Sequence, residues 1–171
     1  MDVALAAHPE GFQLSPDGTR AFANVPDARQ IVSVDLITGK QANSWEQPNL
    51  HSNFPMAIDS SGRTLAVAFR SPPRLVLLQA GTGTVTASVD TCSDADDVFF
   101  DGRRRRIYVS CGAGAVDVCD RSDDLRRIAQ VKTYPGARTA LFVPELDRLF
   151  VASPSSPSAG DARVLVFRPT P

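Results

Sequence analysis

The chain has 171 residues, 43% of them hydrophobic and 22% charged, and a net charge of −1. This is ordinary for a folded globular protein, and it supplies no global field to draw nucleic acid or an anionic membrane. No apolar run is long enough to cross a bilayer, and Met1-Asp2-Val3-Ala4-Leu5-Ala6-Ala7 is too short and too acidic at its start for a secretory signal.

In chain order, the pattern predicts a strand over 3–7 and then the polar loop His8-Pro9-Glu10-Gly11. Strands follow at 12–15 and 20–25, split by Pro16-Asp17-Gly18, which is turn chemistry. A third strand is expected over 30–36 and, after Thr38-Gly39, a more polar fourth over 41–45. The same order then repeats. Strands are expected at 56–59, 64–69, 74–79 and 84–89, then at 97–101, 106–111, 115–120 and 126–133. The last set is 139–143, 148–153 and 163–168, with no fourth strand before Pro171. Pro154 to Asp161 lengthens one loop of this set and reads as a mobile surface insertion.

Leu14, Ile58, Phe100 and Phe142 hold the same place in each set and recur at intervals of 44, 42 and 42 residues. A period in the forties built from short strands marks a β-propeller, with one blade per repeat. The inner runs are apolar on both faces, as in Val98-Phe99-Phe100, which suits blades sandwiched between neighbours. The expected fold is therefore all-β: about four blades of four-stranded antiparallel meander in an incomplete ring. The repeats fall at about 8–50, 51–92, 93–136 and 137–171, with 1–7 as the outer strand of a neighbouring blade. Open blade ends should favour self-association, unless 3–7 closes a small ring by pairing with 164–167.

Three cysteines make no complete disulfide framework, so free buried thiols are expected. A Cys111–Cys119 bridge fails if a two-residue turn sets the register, because the two side chains then point to opposite faces. No Cys/His cluster has zinc spacing.

Arg106-Ile107-Tyr108-Val109-Ser110 and Arg148-Leu149-Phe150-Val151-Ala152-Ser153 resemble the repeat of the YVTN-repeat (YncE-like) family of bacterial β-propellers. Ser15-Pro16-Asp17-Gly18 and Val34-Asp35-Leu36-Ile37-Thr38-Gly39-Lys40 fit the same blades. The Gly-His…Trp-Asp pairs of WD40 repeats are missing, as are kelch Gly-Gly pairs. The resemblance implies a larger, usually exported ring of which this chain looks like the C-terminal portion. It is specific for fold and poor for activity.

Loops joining one blade's outer strand to the next blade's inner strand gather at one mouth of a propeller's channel. Here they supply His8, Glu10, His51, Asn53, Asp96, Asp97 and Arg138 as candidate ligand-binding residues. The first reading is a noncatalytic propeller that binds a protein or small-molecule partner there. The alternative is a metal-dependent, lactonase-like hydrolase, with Glu10, Asn53 and Asp96 as ligands of a divalent cation. Arg103-Arg104-Arg105-Arg106 reads as a solvated turn rather than a nucleic-acid patch.

Overall fold

The computed structural model describes residues 2–157 and 160–170. Among the described residues, fifteen strands make four antiparallel sheets. Blade one holds β1 (Phe12–Leu14), β2 (Arg20–Val25), β3 (Gln30–Asp35) and β4 (Lys40–Glu46). Blade two holds β5 (His51–Ile58), β6 (Thr64–Ser71), β7 (Pro73–Gln79) and β8 (Val85–Asp90). Blade three holds β9 (Ala95–Asp101), β10 (Arg106–Cys111), β11 (Ala115–Asp120) and β12 (Arg126–Lys132). Blade four has three strands, β13 (Ala140–Val143), β14 (Arg148–Ser153) and β15 (Arg163–Phe167). A short 3-10 turn at Pro26–Ala28 is the helical element among the described residues.

Hydrophobic burial stacks the blades. Phe22 and Ile31 of blade one pack with Leu65, Val67 and Phe69 of blade two. Ala66, Ala68 and Leu75 of blade two meet Ile107 and Val109 of blade three. Tyr108 and Val116 of blade three meet Phe142, Leu149 and Val151 of blade four, with Tyr108 edge-on to Phe142 at 5.2 Å. Middle strands are dry on both faces and outer strands are wet, as the apolar runs imply.

The turns carry their own chemistry. Asp59 Oδ1 accepts the N–H groups of Arg63 and Thr64, and Asp101 Oδ1 accepts those of Arg103 and Arg104. These bonds replace the backbone partners that a turn forfeits.

Several expectations are corrected. Val3–Ala7 forms no strand; Leu5 and Ala7 instead lie over Ala23, Val25 and Val32 on the outer face of blade one. The ring is not closed through β15, which pairs only with β14 among the described residues. The β10–β11 loop has three residues, since Cys111 pairs with Ala115 and Ile107 with Cys119. Cys111 and Cys119 therefore share a face, and what separates them is four residues of strand. The free-thiol expectation fails for two of the three cysteines: Cys92 and Cys111 form a disulfide, and Cys119 alone is free and buried. The arginine run is not a wholly solvated turn. Arg104 is 11% exposed and binds Asp101 at 3.0 Å and Asp147 at 2.7 Å, clamping blades three and four. In the insertion, Ser156 bridges Gly160, while Ser158 and Ala159 lie outside the described residues.

Candidate binding mouth

The loops that enter β5, β9 and β13 share one backbone device. Ser52, Asp94 and Gly136 all take positive φ, at 60°, 60° and 83°. They recur at the 42-residue period of the blades, so blades two, three and four share a left-handed kink at or shortly before the inner strand, Ser52 being the second residue of β5. This places the following side chains along one rim.

Arg70, at the end of β6, reaches across from blade two to blade three. Its Nε donates to Ala95 O at 2.8 Å, Nη2 to Asp96 Oδ1 at 2.7 Å, and Nη1 lies 3.0 Å from Asp94 Oδ1. Its guanidinium also stacks over the Phe54 ring at 4.1 Å. On the other side Arg138 Nη1 donates to Asp94 Oδ2 at 2.8 Å, and Nε lies 3.8 Å from Asp96 Oδ2. Two carboxylates thus alternate with two guanidiniums across three blades. Asp94 and Arg138 remain 37% and 45% exposed at the side chain, so their ion pair is open to exchange.

Gly112 lies against this cluster. A Cβ there would run into the Asp94 carboxylate, and its N–H donates to Asp94 O at 2.8 Å. The Cys92–Cys111 bridge fixes the same place, because Cys92 lies two residues before Asp94 and Cys111 immediately precedes Gly112. Beneath them Asp117, fully buried, accepts from Cys92 N at 2.7 Å, Thr91 Oγ1, Arg127 Nη1 and Gln130 Nε2.

Asp97 points into the blade three–blade four seam. Its Oδ2 accepts Ala140 N–H at 2.6 Å. Burial, reinforced by the Asp96 charge, pushes its carboxyl up to about 6. Asn53 is buried between blades one and two, where its amide donates to Asn24 Oδ1 and Gln30 O. His51 opens β5 opposite Ser71, with its Nδ1 buried and unbonded. Glu10 is exposed, its N–H donating to Asn24 O at 2.9 Å, and His8 is exposed nearby in sequence.

Of the seven expected residues, Asp96 and Arg138 meet in the ion-pair cluster and Asp97 neighbours it. Asn53 is a structural bridge, and no ion pair or hydrogen bond draws His8, Glu10 or His51 to the cluster. Asp94 and Arg70 were not among the seven. Asp94 stood in the same acidic loop. Arg70 gave one signal, a charge directly after the apolar run Leu65–Phe69.

The residues do not fit a divalent cation. Asp94 and Asp96 already hold two guanidiniums, and no three of His, Cys, Asp and Glu converge as metal ligands among the described residues.

No protein-family model and no curated protein matches the chain. Solved structures do. Hydrazine synthase from Kuenenia stuttgartiensis superposes with a TM-score of 0.83 at 16% identity, over 94% of this chain and 46% of that one. A chain of the mitotic checkpoint complex gives 0.77 at 14% identity, over 88% and 50%. The β-propeller domain of Cps50 (Swd1) from Myceliophteria thermophila gives 0.71 at 12% identity, over 87% and 50%. The chain spans about half the length of each of these structures. Identities this low carry the fold alone, and with the four stacked sheets they make the chain an all-β, four-bladed arc of a β-propeller.

Proposed function

We propose that the chain is a noncatalytic binding scaffold of the YVTN-repeat type, which takes a protein partner at the mouth formed by Arg70, Asp94, Asp96 and Arg138. The observation that carries this reading is the alternating ion-pair cluster, whose outer members Asp94 and Arg138 are half exposed while Arg70 and the disulfide hold the inner ones in place. A rigid rim of paired charges gives a partner's charged side chains defined places to exchange into, which confers specificity and steering. The four-residue set is electrically neutral, so it suits a mixed-charge peptide surface better than a phosphate chain. The Arg106–Ser110 and Arg148–Ser153 motifs support the YVTN assignment, and with it a bacterial, exported parent. The disulfide agrees with export. Likeness to a chain of the mitotic checkpoint complex, an assembly by its name, is consistent with a scaffold.

The test is affinity capture with three baits: wild type, the double variant Asp94→Lys/Arg138→Glu, and Glu145→Lys, which changes an exposed charge outside the mouth. A protein retained by wild type and Glu145→Lys but lost from the double variant supports the reading. Capture indifferent to the mouth change refutes it.

A further inference from the structure

The inner strands carry a second gathering of loops at their other end. Ile58, Phe100 and Phe142 each stand six residues beyond Ser52, Asp94 and Gly136, so the turns that follow them lie roughly 20 Å from the mouth at strand rise. There blades two, three and four wall a cavity of about 650 Å³, a size usual for a small organic ligand. Its lining comes from residues 58–147, and so from neither end of the chain.

Charge sets this cavity apart. Five arginines line it against three aspartates, in a chain whose net charge is −1. The aspartates are already engaged. Asp59 Oδ1 accepts the Ser61 hydroxyl and two backbone N–H groups. Asp101 accepts the Tyr108 hydroxyl and shares the Arg104 guanidinium with Asp147. The other arginines are less committed. Arg103 is exposed, and its guanidinium has no hydrogen-bond partner among the described residues. Arg63 is exposed and gives its Nε to Ser61 Oγ at 3.3 Å, which leaves both Nη groups to spare. Arg121 lies 3.4 Å from Asp59 Oδ2 and 4.8 Å over the Phe100 ring. Its loop is fixed, because Arg121 N–H donates to Arg105 O at 3.0 Å and Arg105 Nη2 donates back to Ser122 O. Beside these donors, half-buried Ile58 and Phe100 supply an apolar wall.

We propose that this cavity binds a small phosphate monoester with a flat apolar body, its phosphate held by Arg63, Arg103 and Arg121 and its body laid on Ile58 and Phe100. A phosphate monoester carries close to two negative charges at neutral pH, which matches the excess of two guanidiniums; a carboxylate would neutralise one. Guanidinium forks pair with phosphate oxygens two at a time. The apolar wall gives the body a surface to cover, and inorganic phosphate would leave that surface wet. The arginines crowd into one cavity instead of following a groove, which suits a compact head and not a nucleic-acid strand. The cavity shares no residue with the mouth, so the proposal stands or falls independently of the partner-binding reading.

The test is calorimetric titration of the full chain, at roughly 50 mM salt, with 1-naphthyl phosphate, 1-naphthoate, inorganic phosphate and 1-naphthol. Naphthyl phosphate should bind one site with a Kd below about 1 mM, and each of the other three should bind about tenfold more weakly or worse. Arg63→Gln/Arg103→Gln changes two exposed side chains and should weaken naphthyl phosphate by about tenfold or more. Lys40→Gln/Lys132→Gln removes the same charge from exposed sites elsewhere and should leave binding unchanged. Backbone amide shifts of the wild type serve should the arginine variant fail to fold; on titration they should move at residues 58–63, 100–106 and 120–122. No saturation by about 5 mM naphthyl phosphate would overturn the proposal. So would naphthoate, phosphate or naphthol binding as tightly, an arginine variant that binds like wild type, a lysine variant that binds as weakly as the arginine variant, or shifts confined to other residues.

Discussion

Asn53 Nδ2 donates to Asn24 Oδ1 at 3.0 Å across the seam between blades one and two, with both residues at most 1% exposed. Asn24 returns two bonds to the same strand, from Nδ2 to Phe54 O at 3.0 Å and to Pro55 O at 3.1 Å. One side chain thus satisfies three groups of β5. Gly11 completes the seam: its N–H donates to Phe54 O, and a Cβ at that position would collide with the same oxygen.

Asn24→Leu should therefore destabilise the chain by about 2–4 kcal/mol, because three buried hydrogen bonds are lost at once, and Phe54 O keeps only Gly11 N–H while the Asn53 amide keeps only Gln30 O. Urea denaturation measures it, and a loss under about 1 kcal/mol would contradict the bridge. Asn24→Asp should be worse at neutral pH than in acid, since an ionised carboxylate would face two carbonyl oxygens.

Asp101 is the corresponding pivot between blades three and four. Tyr108 donates its hydroxyl to Asp101 Oδ2 at 2.7 Å, and Arg104 binds the same carboxylate. Burial, with the Asp101 hydrogen bond next, pushes the Tyr108 phenol well above its ordinary range. Tyr108→Phe keeps the edge-on ring contact with Phe142 and removes one charge-assisted bond, at a cost of about 1.5–3 kcal/mol. Equal midpoints for the two proteins in a chemical melt would show that the bond contributes nothing net.

The blade period was legible because it is written in turn residues. Asp59 and Asp101 cap successive turns with their own side chains, and such local chemistry leaves a mark in the sequence. The seams were less legible, because they depend on which residues meet across more than forty positions. Asp96 and Arg138 could be placed on one rim from loop order alone. Arg70 looked like the polar end of a strand, and nothing local says that it reaches Asp94. Asn53 looked like a wet loop residue, whereas β5 begins at His51 and carries it inside. The free-thiol expectation rested on the odd cysteine count, and the bridge joins Cys111 to Cys92, which lies 19 residues earlier in the loop before β9; the three-residue β10–β11 loop decides only that Cys119 shares a face with Cys111.

That disulfide makes a countable prediction. Cys119 is buried, and burial, aided by the Asp117 charge, pushes its thiol up to about 12. A thiol reagent should find none in the native chain, one after denaturation, and three after denaturation with reduction. The bridge spans a sequence separation of 19, so its reduction should cost about 3 kcal/mol by loop closure. Because Cys92 and Cys111 flank the Asp94 loop, Cys92→Ser/Cys111→Ser should also weaken partner capture at the mouth. A native protein that titrates two or more thiols would rule the bridge out.

Asp97 predicts a pH dependence of opposite sign to that of Asp59, Asp120 and Asp147. Asp59, Asp120 and Asp147 are held below their ordinary value by hydrogen bonds or by an arginine, so each stabilises the fold above that value and loses its contribution as pH falls through the lower folded one. Asp97 is raised from 3.8 to about 6, chiefly by burial. The folded chain therefore holds that proton more tightly than the unfolded chain does. Its contribution is fully present below pH 3.8 and is lost as pH rises through about 6. Asp97→Asn keeps an oxygen acceptor for Ala140 N–H and cannot ionise. Stability measured for both proteins at several pH values should show the variant gaining on wild type by about 1–3 kcal/mol between pH 4 and pH 7, then holding level. The subtraction cancels contributions that do not depend on residue 97. A difference that is flat with pH, or that falls as pH rises, would mean that Asp97 ionises as readily in the folded chain as in water and that the seam beside the mouth is wet.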